Sequence, residues 1–325
     1  MEWTEDVSAG DWIRERLNDG PAWAATMHGV VPRGFPAYAR ILHRPGAAWV
    51  EGRAYPSQEE FRESDPAGLP QTYFGQTTWA EAAAVFGTEV HGTAQWNRMV
   101  RRGGGDPDAR DWDTVIGPDG REYSAPQEGR LDADQLAAAA RHLAASTTTP
   151  DDVYIGVWEG WGGMLGFFGE APSRTTLTLA DGDDPELFAR HSAMLARSTR
   201  DPFNNVFRKP VWQPGILSDV ISRGPRLQLP NRDHVLFRGT LAEFSDPSWA
   251  TKVPWADEHP EWTASPSLVW PADRAWVLVT EVDYDSTIVG GSPDLVRALC
   301  TDPALEARSI REGADLSWDA DEVNR

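Results

Sequence analysis

The sequence predicts an α+β fold, a mixed or antiparallel sheet with short amphipathic helices, forming one two-lobed unit over residues 1–325. Three observations predict it. Helix-like and strand-like stretches follow one another in irregular order, without the regular strand–helix–strand rhythm of a doubly wound sheet. The chain has 325 residues, 40% of them hydrophobic, which is enough for a sizeable core. No repeat of solenoid or propeller period runs through it.

The helices are marked by their ends. "DWIRERLND", 11–19, stops at Gly20, as a short helix does before a left-handed residue. "TWAEAAAVFG" carries Thr78 and Glu81 at capping-box spacing, sets Trp79, Ala82, Ala83 and Phe86 on one face, and stops at Gly87. "DADQLAAAARHLAAS", 132–146, keeps Leu136, Ala139, Ala140 and Leu143 in helical register. At 184–198 Asp184 is a natural cap with Pro185 in the first helical position, and Ser292–Pro293 starts a further helix through Cys300.

Strand signals are interleaved at 35–44, 152–161, 174–180, 232–241 and 275–289, each rich in β-branched or aromatic residues. Residues 101–129 are dense in Gly, Asp and Pro, which makes them a loop and the candidate lobe boundary. A second irregular region runs from about Arg200 to Pro230.

Composition bounds the function. The formal charge is −20. Phosphate neutralisation needs clustered Lys and Arg, so a nucleic-acid partner is disfavoured, as is an anionic membrane surface. A single cysteine, Cys300, precludes an intrachain disulfide and a multi-cysteine metal centre. Its place at a helix end, away from the thiol-activating N-terminus, marks it as a packing residue. The acidic N-terminus has no secretion-signal pattern, so the expected location is cytoplasmic. The seven histidines show neither HxH nor HExxH spacing, and no nucleophile elbow, Walker loop or dinucleotide fingerprint is present. No metal or cofactor is expected from these patterns.

"TEVDYDS", 280–286, is the most distinctive short stretch. Read as one strand, 275–289 alternates Trp276, Leu278, Thr280, Val282 and Tyr284 on one face with Val277, Val279, Glu281, Asp283 and Asp285 on the other. Carboxylates two residues apart on a strand lie about 7 Å from each other, within reach of a shared cation or of arginines. The blander expectation is a solvated strand end. On that expectation Asp283→Asn with Asp285→Asn changes stability by less than about 1 kcal/mol.

Arg40 lies mid-strand in "VVPRGFPAYARILHRP", 30–45, and this block is expected to share a sheet with 273–287, bringing carboxylates within reach of Arg40. Arg238 and Arg274 are further candidates to assist those carboxylates. Tryptophan is over-represented, with 16 residues. Core packing accounts for most of them. Trp158 and Trp161, in "VWEGWGG", are the candidates for an aromatic ligand surface.

The blocks "VPRGFPAYARI" and "WPADRAWVLVTEVDYDSTIVGG", with "PDDVYIGVWEGWG" between them, resemble an actinobacterial family of conserved hypothetical proteins. The resemblance implies that the three segments belong to one domain, and it implies no activity. Val277 and Leu278 stand where that family's block carries a cysteine-containing pair, which argues against a redox role.

Three functions follow as expectations. The first is an acidic interaction or adaptor protein whose charge steers a basic protein partner and whose exposed tryptophans anchor it. The second is a carboxylate- or Mg-dependent hydrolase or transferase at Glu281, Asp283 and Asp285, aided by Arg40 or Arg274. The third is a small-ligand or carbohydrate binding protein built on Trp158 and Trp161. Oligomeric state is left open by the sequence.

Overall fold

The computed structural model describes residues 1–17, 26–57, 60, 70–101, 111–169 and 211–325. The strand expected at 174–180 and the helix at 184–198, with His191, lie outside the described residues.

Fifteen strands are present among the described residues. They are β1 (Glu2–Trp3), β2 (Ala37–Leu42), β3 (Gly46–Val50), β4 (Thr72–Gln76), β5 (Thr114–Ile116), β6 (Glu122–Ser124) and β7 (Val153–Trp158). There follow β8 (Phe167–Gly169), β9 (Val211–Gln213), β10 (Leu227–Gln228), β11 (Asp233–Gly239) and β12 (Leu268–Pro271). The last three are β13 (Val277–Thr280), β14 (Ser286–Gly291) and β15 (Ala307–Ile310). Nine form one sheet in the order β1-β11-β7-β12-β13-β14-β2-β15, with β10 on β11, and every pairing is antiparallel. A four-stranded sheet, β4-β3-β6-β5, and the β8–β9 ribbon are separate from it. With helices on an antiparallel framework, the fold is α+β.

The large sheet is buried on both faces, and strand alternation shows why. Trp276 and Leu278 point to a core shared with Val153, Ile155, Val157, Val235, Phe237 and the helix Ala133–Ala145. Val277 and Val279 point to the opposite core with Trp12, Ile13, Tyr38, Leu236 and Trp270. This two-sided burial accounts for the near-continuous apolar runs of the central strands. A third cluster joins Leu42 to Trp79, Ala82, Trp96, Val115 and Tyr123, tying the small sheet to the large one.

The alternation ends at Thr280. The expected single strand 275–289 is a hairpin: Thr280 pairs with Thr287, and the five residues Glu281–Asp285 form its connection. The expectation that Glu281, Asp283 and Asp285 share one strand face is therefore wrong. Tyr284 N–H donates to the Glu281 carbonyl at 3.1 Å, closing the loop on itself. Two Asp residues in this short connection accept bonds that a flat strand would leave to water.

Local signals elsewhere hold. The helix Trp79–Phe86 has both arms of its capping box, from Thr78 and Glu81, and ends at Gly87 with φ of 66°. The helix Pro293–Thr301 is capped by Ser292, and Cys300 is half-buried in its last turn, where burial pushes the thiol pKa up. The N-terminal helix is shorter than expected, covering Asp11–Arg14. Within 101–129, read as a loop, β5 and β6 pair as a hairpin of the smaller sheet. Seven of the fifteen described tryptophans are buried core residues, and Trp3, Trp112 and Trp161 pack partly buried against the core; the indoles of Trp79, Trp255 and Trp276 donate to the carbonyls of His43, Ala264 and Leu143 at 2.9, 2.9 and 3.0 Å. No helix among the described residues is long and apolar enough to cross a membrane.

Candidate functional site

The Glu281–Asp285 connection forms one wall of a cavity of about 340 Å³. Three segments distant in sequence complete it: Gln95–Asn97, the stretch from Trp112 to Glu128, and Leu316–Trp318 near the C-terminus. Its aromatic walls are Trp96, Trp112, Trp318 and Tyr284, with Trp112 and Trp318 packed at 5.3 Å between ring centroids. Its carboxylates are Glu128, Glu281, Asp283 and Asp285.

Sheet pairing positions Arg40. β2 lies beside β14, so Arg40 faces Ile288 across the strands and reaches the start of β14. Its Nε donates to Ser286 Oγ at 2.8 Å and its Nη2 to Asp285 Oδ1 at 2.8 Å. Its Nη1 donates to the carbonyls of Ala94 and Gly92 at 2.7 and 3.3 Å. The side chain is 1% exposed, so the guanidinium serves as a buried rivet between the hairpin and the 92–97 segment. The Trp79 ring lies 5.8 Å from its central carbon.

A second arginine, Arg232, holds the outer part of the loop. Its Nε donates to Glu281 Oε1 at 3.1 Å, and its Nη2 contacts both Glu281 and Asp283. The Glu281 side chain is 7% exposed, whereas Asp283 is 68% exposed. Burial raises the Glu281 pKa, and the nearby guanidinium opposes that shift. Tyr284 is pushed up to about 12, chiefly by burial, and stays neutral. Glu281, Asp283 and Asp285 thus meet two guanidinium groups, three carboxylates to two cations.

The backbone under the loop is tightly fitted. Gly129 N–H donates to the Tyr284 carbonyl at 2.8 Å, and a Cβ at Gly129 would lie 2.7 Å from both Cα and the carbonyl oxygen of Val282. With φ of 68° as well, the position requires glycine. His43 N–H donates to the Asp285 carbonyl at 3.0 Å. The His43 ring bridges the Gln127 carbonyl and Thr287 Oγ1 at 2.9 and 3.0 Å, and burial lowers its pKa to about 4. It is a neutral strut below the site.

The far wall depends on the C-terminal segment. Asp321 is fully buried and accepts from His91 Nε2 and Asn324 Nδ2, both at 2.8 Å, and from the backbone N–H of Val323, Asn324 and Gln95. These bonds hold its carboxyl pKa low against the opposing effect of burial. They pin the segment that delivers Trp318.

Of the residues singled out in the sequence, Arg40, Glu281, Asp283 and Asp285 come together here. Arg274 does not: it occupies the β12–β13 turn with φ of 56°, at the opposite end of β13, and lies over Trp12. Arg238 pairs with Asp152 at 2.6 Å, also elsewhere. Trp158 and Trp161 meet edge-to-face at 5.6 Å, and Arg232 lies 5.4 Å over Trp158, so this pair stands behind the second arginine. Sequence reasoning missed Trp96, Trp112, Trp318, Glu128 and Arg232. The only local hint was an isolated Leu316–Trp318 pair in an otherwise acidic tail. Among the described residues, no group of three or more His, Cys, Asp or Glu side chains is arranged to hold a metal ion. The carboxylates turn toward arginines rather than toward one another. Comparison with family models, curated proteins and solved structures found no match to the chain.

Proposed function

We propose that this chain is a recognition protein for a basic protein partner, which inserts a cationic side chain into the cavity walled by Trp96, Trp112, Trp318 and Tyr284. The observation that carries this reading is the combination of aromatic walls with a carboxylate excess in one enclosure. Ring faces attract a cation through their quadrupoles, by about 0.5–2 kcal/mol depending on desolvation. Exposed Asp283 offers the cation a carboxylate that Arg232 leaves partly accessible. The formal charge of −20 steers a positive partner toward the chain and raises its encounter rate.

The test compares N-acetyl-arginine amide with its citrulline counterpart, which has nearly the same shape without the charge, by following indole NMR resonances. The expected result is saturable shifts at Trp96, Trp112 and Trp318 with the arginine compound alone, weakened by salt. Equal shifts with citrulline overturn the reading.

A second reading rests on Glu281. A carboxyl raised by burial beside a solvated carboxylate, Asp283, is the pairing that acid–base hydrolysis uses. Hydrolytic turnover of a neutral substrate that disappears in Glu281→Gln would favour it over recognition.

A further inference from the structure

The cavity beside the Glu281–Asp285 loop presents ring carbon rather than ring N–H. Trp96 and Trp112 both line it, yet Nε1 of each is shielded from solvent, so a ligand there touches the carbon surface of the indoles. The Trp112 and Trp318 rings are inclined at 49° to one another and form a corner rather than a parallel pair. Tyr284 adds a fourth ring.

The buried acceptors of this cavity are already taken. Asp285, 18% exposed, and Ser286 accept from Arg40, and Glu281, 7% exposed, accepts from Arg232. The Asn97 amide donates to the Trp318 carbonyl at 3.4 Å, and the Ser317 hydroxyl donates to Asp319 at 3.1 Å. The carboxylate standing in the open is Asp283, 68% exposed. A cation entering here finds ring carbon and nearby negative charge, with few acceptors left for N–H groups.

That balance separates one cation from another. Guanidinium brings five N–H donors and a primary ammonium three. Each donor taken out of water without a new acceptor is costly. A trimethylammonium group carries the same charge with no N–H, and its methyl groups pack directly on the ring faces whose quadrupoles attract it. A zwitterion such as a betaine would bring its own carboxylate against Glu281 and Asp283, which repel it. At about 340 Å³ the space falls in the range of small-ligand sites, about 300–1,000 Å³, and takes a methylene stem together with the headgroup.

We infer that the cavity selects a trimethylammonium group, carried on a lysine side chain of the basic partner. This rests on the cation reading of the same cavity and names the chemical form of the cation.

The test titrates five probes into the full chain: N-acetyl-trimethyllysine amide, N-acetyl-lysine amide, N-acetyl-arginine amide, choline, and the neutral isostere in which tert-butyl replaces trimethylammonium. Calorimetry and indole NMR read the binding. The trimethyllysine compound is expected to bind about tenfold more tightly than lysine, arginine or the isostere, and more tightly than choline, which lacks the stem. Trp318→Ala should weaken it about tenfold and Trp318→Phe by less. Trp262→Ala, at a 53% exposed ring outside this cavity, should leave it unchanged. Thermal melts establish that each variant is folded, and if Trp318→Ala is not, Trp318→Phe and the probe series carry the test. Three results overturn the inference while leaving the cation reading standing: arginine or unmethylated lysine binding as tightly as trimethyllysine; choline binding as tightly, which takes the group off lysine; or trimethyllysine binding unaffected by either change at Trp318. The isostere binding as tightly as trimethyllysine, or no cation binding at all, overturns the cation reading and this inference with it.

Discussion

Arg40 and Asp285, 245 residues apart in sequence, meet at 2.8 Å with the guanidinium wholly inside the protein. The pair converts a flexible acidic loop into a fixed cavity wall. Its arginine has every nitrogen engaged, so the geometry is over-determined by Ser286 and two carbonyls as well.

The two aspartates of the loop should therefore behave differently. Asp285→Asn removes the counter-charge of a buried arginine and is expected to cost about 3 kcal/mol, in the range for breaking a buried pair. Asp283→Asn, at a largely exposed position, should stay within about 1 kcal/mol. This replaces the solvated-face expectation that both changes together are nearly silent. Urea unfolding of the two single variants, with Arg40→Met to complete a double-mutant cycle, measures the coupling. Equal small effects at both positions would show that Arg40 does not need its partner.

Gly129→Ala tests how the loop is seated. An added methyl collides with the Val282 backbone, and the left-handed conformation adds about 1 kcal/mol more. Overpacking of this kind costs about 1–3 kcal/mol. A clear fall in melting temperature is expected, with loss of arginine-amide binding in the surviving folded fraction. Unaltered stability and binding would place the loop elsewhere.

Binding at the cation cavity should depend on its walls individually. Trp318→Ala removes one ring face and should weaken N-acetyl-arginine amide about tenfold, equivalent to ~1.4 kcal/mol. Trp318→Phe should restore part of it. Asp283→Asn should reduce the salt dependence of binding, since an exposed charge acts through screened attraction. Calorimetry at two ionic strengths separates these effects.

Acid should destabilise the fold before most carboxylates titrate. Burial lowers the pKa of both His43 and His234 from 6.5 to about 4, so in the unfolded chain these rings take up protons that the folded chain refuses. Where the unfolded state binds more protons, stability rises with pH. The contribution is thus complete above about pH 6.5 and is lost as pH falls toward 4, on the order of 3 kcal/mol for each ring. Urea melts at intervals across that window, on wild type and on His43→Gln, give the slope directly. A slope in His43→Gln as steep as wild type would mean that this ring is not buried neutral.

Much of the framework was legible because its causes are local. The capping box of Thr78 and Glu81, the glycine stop at Gly87, the Ser292–Pro293 helix start and the two-sided apolar strands each depend on residues within a few positions of one another. The pairing of the Arg40 and Asp285 segments was also legible, since both are strand-like and carry complementary charges. The alternation rule held through Val279 and then failed, because period-2 reasoning has no term for a chain reversal inside an apolar–acidic run.

The sequence by itself determined the α+β class, the caps, the core tryptophans and the presence of an acidic segment near an arginine strand. Only the tertiary structure decided that this segment is a hairpin connection and that it faces Trp96, Trp112 and Trp318. Those rings come from three distant stretches, one of them held in place by Asp321 in the last few residues of the chain. Local propensity can state what each stretch will form. Which stretches enclose a cavity depends on long-range burial and on the pairing of charges that cannot be left alone in a core, and neither is written at any single position.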